Sequence, residues 1–167
     1  MIKTFNSLFV TMFGIGKLKP IPGTFGSLAT VIILYFLFHK FEIGSNLILL
    51  GLVVIFIYSF LAITSHTKDK KNKDPGEIVI DEFIGQSIPI YLYEISHGTD
   101  KDPNEAVIFY AVCFVLFRYF DIMKPFPVSH FDKKHKNSFG VIMDDVCAGL
   151  YVVLSLICFM VLKSYIL

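Results

Sequence analysis

Three knots of charge interrupt a chain that is otherwise apolar enough to live in a bilayer, and this alternation limits its possible folds more than any other feature. The knots are Glu77, Asp81 and Glu82; Arg118, Asp121 and Lys124; and Asp144 and Asp145. Charged side chains are costly at membrane depth, so their placement at the ends of apolar runs points to function. Carboxylates outnumber bases in these knots, and hard oxygen ligands suit Mg²⁺, which is commonly shared between carboxylates and substrate phosphates. The pattern is that of a membrane enzyme acting on a phosphorylated substrate.

Composition supports the lipid setting. Of 167 residues, 54% are hydrophobic and 17% charged, with a mean hydropathy of +0.66, against roughly 25% charged in an ordinary soluble domain. A soluble fold of this size has no way to bury so much apolar surface. The length fits one domain, residues 1–167. A net charge of +1 gives no reason to expect nucleic acid, which would call for a clustered basic face. Cys113, Cys147 and Cys158 lie in apolar stretches without CxxC spacing, and read as small core hydrophobes rather than a disulfide framework or zinc site. The apolar stretch in residues 5–13 is too short to span and has no small-residue cleavage site behind it, which argues against a removable signal peptide.

The apolar runs predict an all-α, multi-span bundle of about four to five membrane helices, some short or interrupted. Residues 24–38 and 47–63 flank a break at 39–44 and form an expected helical hairpin. Residues 78–93 read as a short helix perturbed by Pro89. Residues 106–120 form the next helix, which Pro125 ends at the latest, and 146–162 the last. Lys3, Lys17 and Lys19 precede the first span; Lys68, Lys70, Lys71 and Lys73 follow the second; Lys133, Lys134 and Lys136 precede the last. The alternate loops hold only Lys40 and Lys101. By the positive-inside rule the lysine-rich side is cytoplasmic, and all three charged knots then fall at that face.

Within DPGEIVIDEFIGQ, Glu77 and Asp81 are four apart and would share a helix face able to take a cation, with Gly85 extending it. The competing reading makes these acids, with Glu82, first-turn decoration favoured by the helix dipole. In GVIMDDVCAGL, Asp144 and Asp145 are expected to open the last helix, as caps or as ligands drawn to the interface by the preceding apolar residues. Adjacent helical residues diverge by about 100°, so one Asp would bind metal while the other orients a base or a neighbouring helix. In FRYFDIMKPFPVSHFDKK, Arg118 and Asp121 either simply pair or leave Arg118 and Lys124 to grip phosphate, with Pro125 and Pro127 stiffening the exit. Asp132 is a weaker candidate. His66, His130 and His135 lack metal-ligand spacing and read as surface histidines. The chain has no Cx5R, DxDx[TV], GxxxxGK[ST] or GxSxG pattern, so a metal-assisted route remains.

Taken in order, the blocks GIGKLKPIPGTFGSLAT, IVIDEFIGQ, FRYFDIMKPFPVSHFDKK and GVIMDDVCAGL resemble the phosphatidylglycerophosphatase A family of bacterial membrane lipid phosphatases. That resemblance implies Mg²⁺-dependent removal of the terminal phosphate from phosphatidylglycerophosphate at the cytoplasmic face of the inner membrane. It implies a catalytic and metal-binding set of Asp81, Glu82, Arg118, Asp121, Lys124, Asp144 and Asp145. Pro22, Gly23 and Thr24 would shape a loop at the phosphate. CDP-alcohol phosphotransferases are set aside because DGx2ARx8Gx3Dx3D is missing. An ion-coupled transporter is the rival from another class, but related halves and midplane sites would be expected of it.

Overall fold

The computed structural model describes residues 2–70, 75–97, 103–134 and 137–166, and among these there are helices and turns but no strand. Lys71, Lys73, Lys101, His135 and Lys136 lie outside the described residues, as do the side chains of Asp132, Lys133 and Lys134. The helices are α1 (Ile2–Val10), α2 (Pro22–Tyr35), α3 (Ser45–Thr67), α4 (Ile80–His97), α5 (Pro103–Met123), α6 (Val128–Lys134) and α7 (Ser138–Ile166).

Local chemistry sets the boundaries. Pro22 stands at the first positions of α2, where a missing N–H costs nothing. The last turn of α2 widens into a π-helical turn over Phe36–Lys40, and the chain reverses through Glu42, at a positive φ of 51°, into α3. Asn137 caps α7, its Oδ1 accepting the Gly140 N–H at 3.0 Å. The expectation that Asp144 and Asp145 open this helix is therefore corrected: it begins at Ser138, and the two acids sit within its body.

Among the described residues four stretches are long and apolar enough to cross a bilayer: Pro22–Lys40, Ser45–Thr67, Asn104–Met123 and Ser138–Tyr165. Large apolar side chains such as Leu50, Ile57, Leu61, Val115 and Leu154 point outward on them, a surface that hydrocarbon covers and water would not tolerate. Cys113 and Cys147 are buried as the sequence suggests, whereas Cys158 is exposed on this outer surface of α7.

The expected hairpin is present as α2 and α3. Helix α4 is central, packing most extensively on α7 and then on α2, α3 and α5. Its 18 residues give about 27 Å at 1.5 Å per residue, and it runs unbroken through Pro89 rather than being interrupted there. Pro89 has no N–H to offer the Gly85 carbonyl four residues back, and that carbonyl is turned onto Gly149 of α7: a Cβ on Gly149 would lie 2.3 Å from it. Helices α2, α4 and α7 leave one end of the bundle and α3 and α5 return to it. At the far end His39 of the α2 extension meets Glu94 of α4 at 3.2 Å, and Tyr110 of α5 donates to the same carboxylate at 2.9 Å.

Candidate metal and phosphate site

The near end of the bundle gathers the charged knots. Asp81 and Glu82 lie in the first turn of α4, where the helix dipole favours negative charge, and Asp81 Oδ1 accepts the Glu82 N–H at 3.1 Å. On α7, Asp144 Oδ1 accepts the Asp145 N–H at 3.1 Å, and Asp144 Oδ2 accepts a hydrogen bond from Lys124 Nζ at 3.0 Å. The two neighbours diverge as helical geometry requires: Asp144 turns to Lys124, and Asp145 to α4. Carboxylate oxygens of Asp81, Glu82 and Asp145 all lie within 4.8 Å of one another.

Helix α5 brings the bases. Arg118 Nη2 pairs with Asp121 Oδ2 at 3.0 Å, one turn along the same helix, and Nη1 donates to Ser27 Oγ of α2 at 3.3 Å. Asp121 is within electrostatic reach of both Glu82 and Asp145. Lys124 follows α5 with a left-handed φ of 44°. That kink turns its side chain to Asp144.

Helix α2 closes the third side. A Cβ on Gly23 would stand 2.2 Å from Glu82 Oε1 and 3.4 Å from Arg118 Nη1, so only glycine admits such a close approach of the first turn. Thr24 is the next residue, half-buried in the same turn. First-turn amides have no partner within their helix and suit an anion.

Asp81 and Asp145 are 6% and 4% exposed, so these carboxylates are largely withdrawn from water. Glu82 Oε2 and Asp145 Oδ1 are buried without a hydrogen-bond partner. Burying carboxylates in this way is costly unless a positive charge joins them. Three all-oxygen groups with no thiolate or imidazole fit a hard cation such as Mg²⁺. Acids and orphaned oxygens together make the donor set a match for that ion.

Glu77 is placed elsewhere. Helix α4 starts only at Ile80, because Val79 N donates to the Val10 carbonyl at 2.9 Å and Ile78 N to Pro75 O, while Gly16 packs against the Glu77 carbonyl. Glu77 and Asp81 thus do not share a helix face. The Glu77 carboxylate instead pairs with Lys70 and with His66 Nε2, the latter at 3.0 Å. The Lys70 hydrogen bond holds its carboxyl below the ordinary glutamate value, against partial burial, with His66 adding to the effect. His66, expected at the surface, has a side chain only 8% exposed.

Sequence reasoning passed over Gln86. It is fully buried one turn below Glu82, and neither its Nε2 nor its Oε1 has a partner. Its signal was present, since an amide inside IVIDEFIGQ is the one polar side chain besides the acids in that block.

Comparison with known proteins identifies relatives along most of the chain. The family model described as Phosphatidylglycerophosphatase A matches residues 8–160. The phosphatidylglycerophosphatase A of Haemophilus influenzae is 37% identical over 147 residues, covering 88% of this chain and 83% of that protein. That of Escherichia coli is 32% identical over 145 residues, covering 86% and 76%. A protein of Bacteroides thetaiotaomicron named putative phosphatidylinositol-3-phosphatase is 33% identical over 146 residues, covering 86% of each. No solved structure matches the chain.

Proposed function

The chain belongs to the phosphatidylglycerophosphatase A family, and from that premise we propose that it hydrolyses phosphatidylglycerophosphate to phosphatidylglycerol and phosphate, using Mg²⁺, at the cytoplasmic face of a bacterial inner membrane. The observation that carries this reading is the meeting of Asp81, Glu82 and Asp145 within 4.8 Å beside Arg118 and Lys124, at one end of membrane-length helices. A carrier's ion site would be expected nearer the midplane.

Asp81, Glu82 and Asp145 would hold the ion, which when bound supplies neutralisation of phosphate charge and a more acidic water. The protein's own task is to position and to neutralise. Arg118 has five N–H donors, of which its contacts to Asp121 and Ser27 engage two groups, and its buried Nε has no partner. Asp121 and Asp144 orient Arg118 and Lys124 through their ion pairs, holding both cations toward the nonbridging phosphate oxygens. The first-turn amides of Gly23 and Thr24 add neutral donors on the α2 side. Burial of the acids keeps bulk water from screening these charges.

Lysine placement supports the orientation. Lys3, Lys17, Lys19, Lys68 and Lys70 belong to segments at the acid-cluster end, as the positive-inside rule requires of a cytoplasmic face. The test is phosphate release by detergent-solubilised protein from phosphatidylglycerophosphate, with phosphatidylinositol 3-phosphate as the competing lipid. Mg²⁺-dependent release favouring the first supports the proposal. Release from neither lipid overturns it.

A further inference from the structure

We propose that the cleft between α3 and α4 holds an acyl chain of the same lipid whose phosphate lies at the acid cluster. This rests on the lipid-phosphatase reading above and gives that site a second half. A cavity of about 360 Å³ opens between the two helices, within the size range of small-molecule sites. Leu49, Leu52 and Phe56 line it from α3, spaced along one helix face. Ile84, Ile88 and Tyr91 line it from α4. These lie three, seven and ten residues beyond Asp81, so one stripe of α4 begins with an acid and continues as a hydrocarbon wall.

Continuity with the acid cluster selects the occupant. Val146, the residue after Asp145, closes the cleft from α7. Two of the three clustered acids, Asp145 and Asp81, are thus one and three residues in sequence from lining residues, and Ile84 is only about 4.5 Å along the axis from Asp81. Two hydroxyls stand in this wall, those of Tyr91 and Ser87, and Ser87 donates to the Phe83 carbonyl at 2.6 Å. Ser87 thus presents no unmet polar group to a hydrocarbon. A largely apolar cleft whose α4 wall begins three residues beyond Asp81 and whose α7 wall is the residue after Asp145 fits an amphiphile with a terminal phosphate monoester. A soluble phosphate ester would leave the cleft unused, and a bilayer lipid without that headgroup would have no hold at the top.

Photolabelling of the unaltered protein in phosphatidylcholine vesicles tests the seat directly. One probe is phosphatidylglycerophosphate carrying a mid-chain diazirine; the other is phosphatidylcholine with the same diazirine. The first should label Leu52, Phe56, Ile88 or Tyr91 several-fold more than the second, and excess unlabelled phosphate lipid should compete. Equal labelling by both, which marks ordinary bilayer lipid, overturns the proposal, as does labelling confined to other faces.

A filled cleft gives a second readout. Ile88→Trp should raise KM for the diacyl substrate about tenfold or more, while turnover of the deacylated headgroup stays unchanged. Equal loss on both substrates, or no change on either, counts against an acyl seat. If the wild type releases phosphate from neither, the hydrolytic reading fails, and the labelling pattern still decides whether the cleft binds this lipid.

Discussion

The Gly85 carbonyl of α4 lies against Gly149 of α7, so close that a Cβ on Gly149 would stand 2.3 Å from the oxygen. Backbone meets backbone there, and no side chain can swing aside. Gly149→Ala should thus lower stability by about 1–3 kcal/mol, although alanine is the better helix former by about 1 kcal/mol. Because Gly149 is one turn from Asp145, phosphate release should fall as well. A raised melting temperature in detergent would show that the helices do not touch here.

Gly23→Ala separates the site from the fold. The added methyl would meet Glu82 Oε1 at 2.2 Å, the end of a side chain that can move. Expected is a near-normal melting temperature with turnover reduced on the order of tenfold or more, since misplacement of about 1 Å costs on the order of 10²-fold. Unchanged turnover would detach α2 from the chemistry.

Asn keeps the volume of Asp but not its charge. Asp81→Asn, Asp121→Asn, Asp144→Asn and Asp145→Asn should each lower kcat on the order of 10²-fold or more while inserting and purifying normally. For Asp145, whose buried Oδ1 has no hydrogen-bond partner, loss of the charge is even expected to stabilise the apo protein. Glu105→Gln, exposed in the first turn of α5 at the other end, serves as the control with unchanged turnover. Near-normal release by both Asp81→Asn and Asp145→Asn would relocate the site.

Metal removal should abolish turnover, and Mg²⁺ should restore it. Ca²⁺ is expected to compete for the acids yet support little turnover, because its larger and looser coordination misplaces the phosphate. Full activity in excess EDTA contradicts the cation reading of the three acids.

A pH dependence follows from Glu77. Its carboxyl is held below the ordinary glutamate value of 4.5, chiefly by Lys70, so the stability it contributes is present above that pH and is lost as pH falls through the depressed value. Wild type and Glu77→Gln should differ in melting temperature at pH 6 and converge as pH falls below 4.5 and through the depressed value. A constant difference across that window would mean that the Lys70 and His66 contacts carry no linked proton.

Membrane-length helices were legible because hydrocarbon imposes a length and a composition that local sequence displays, as in α3 and α7. Helix starts were not. The ionic look of Asp144 and Asp145 suggested a helix beginning, but Asn137 does the capping, and only the distant Lys124 and α4 explain why acids sit in the body of α7. Glu77 misled for a related reason: helical spacing alone pairs it with Asp81, whereas the Val10 carbonyl takes the Val79 N–H and delays α4. The glycine contacts and the buried amide of Gln86 depend on which helices meet, which is a tertiary fact with no periodic trace.

The acid cluster draws Glu82 and Asp81 from the fourth helix, Asp145 from the seventh, and its close wall at Gly23 from the second. During synthesis the early helices enter the bilayer while Asp145 is still unmade. A nascent chain can therefore occupy the membrane, fold its first hairpin and remain inert toward lipid until the final helix arrives. The three-acid cluster is thereby complete only when the last helix has been made, and a chain ending before residue 138 holds two of its three acids.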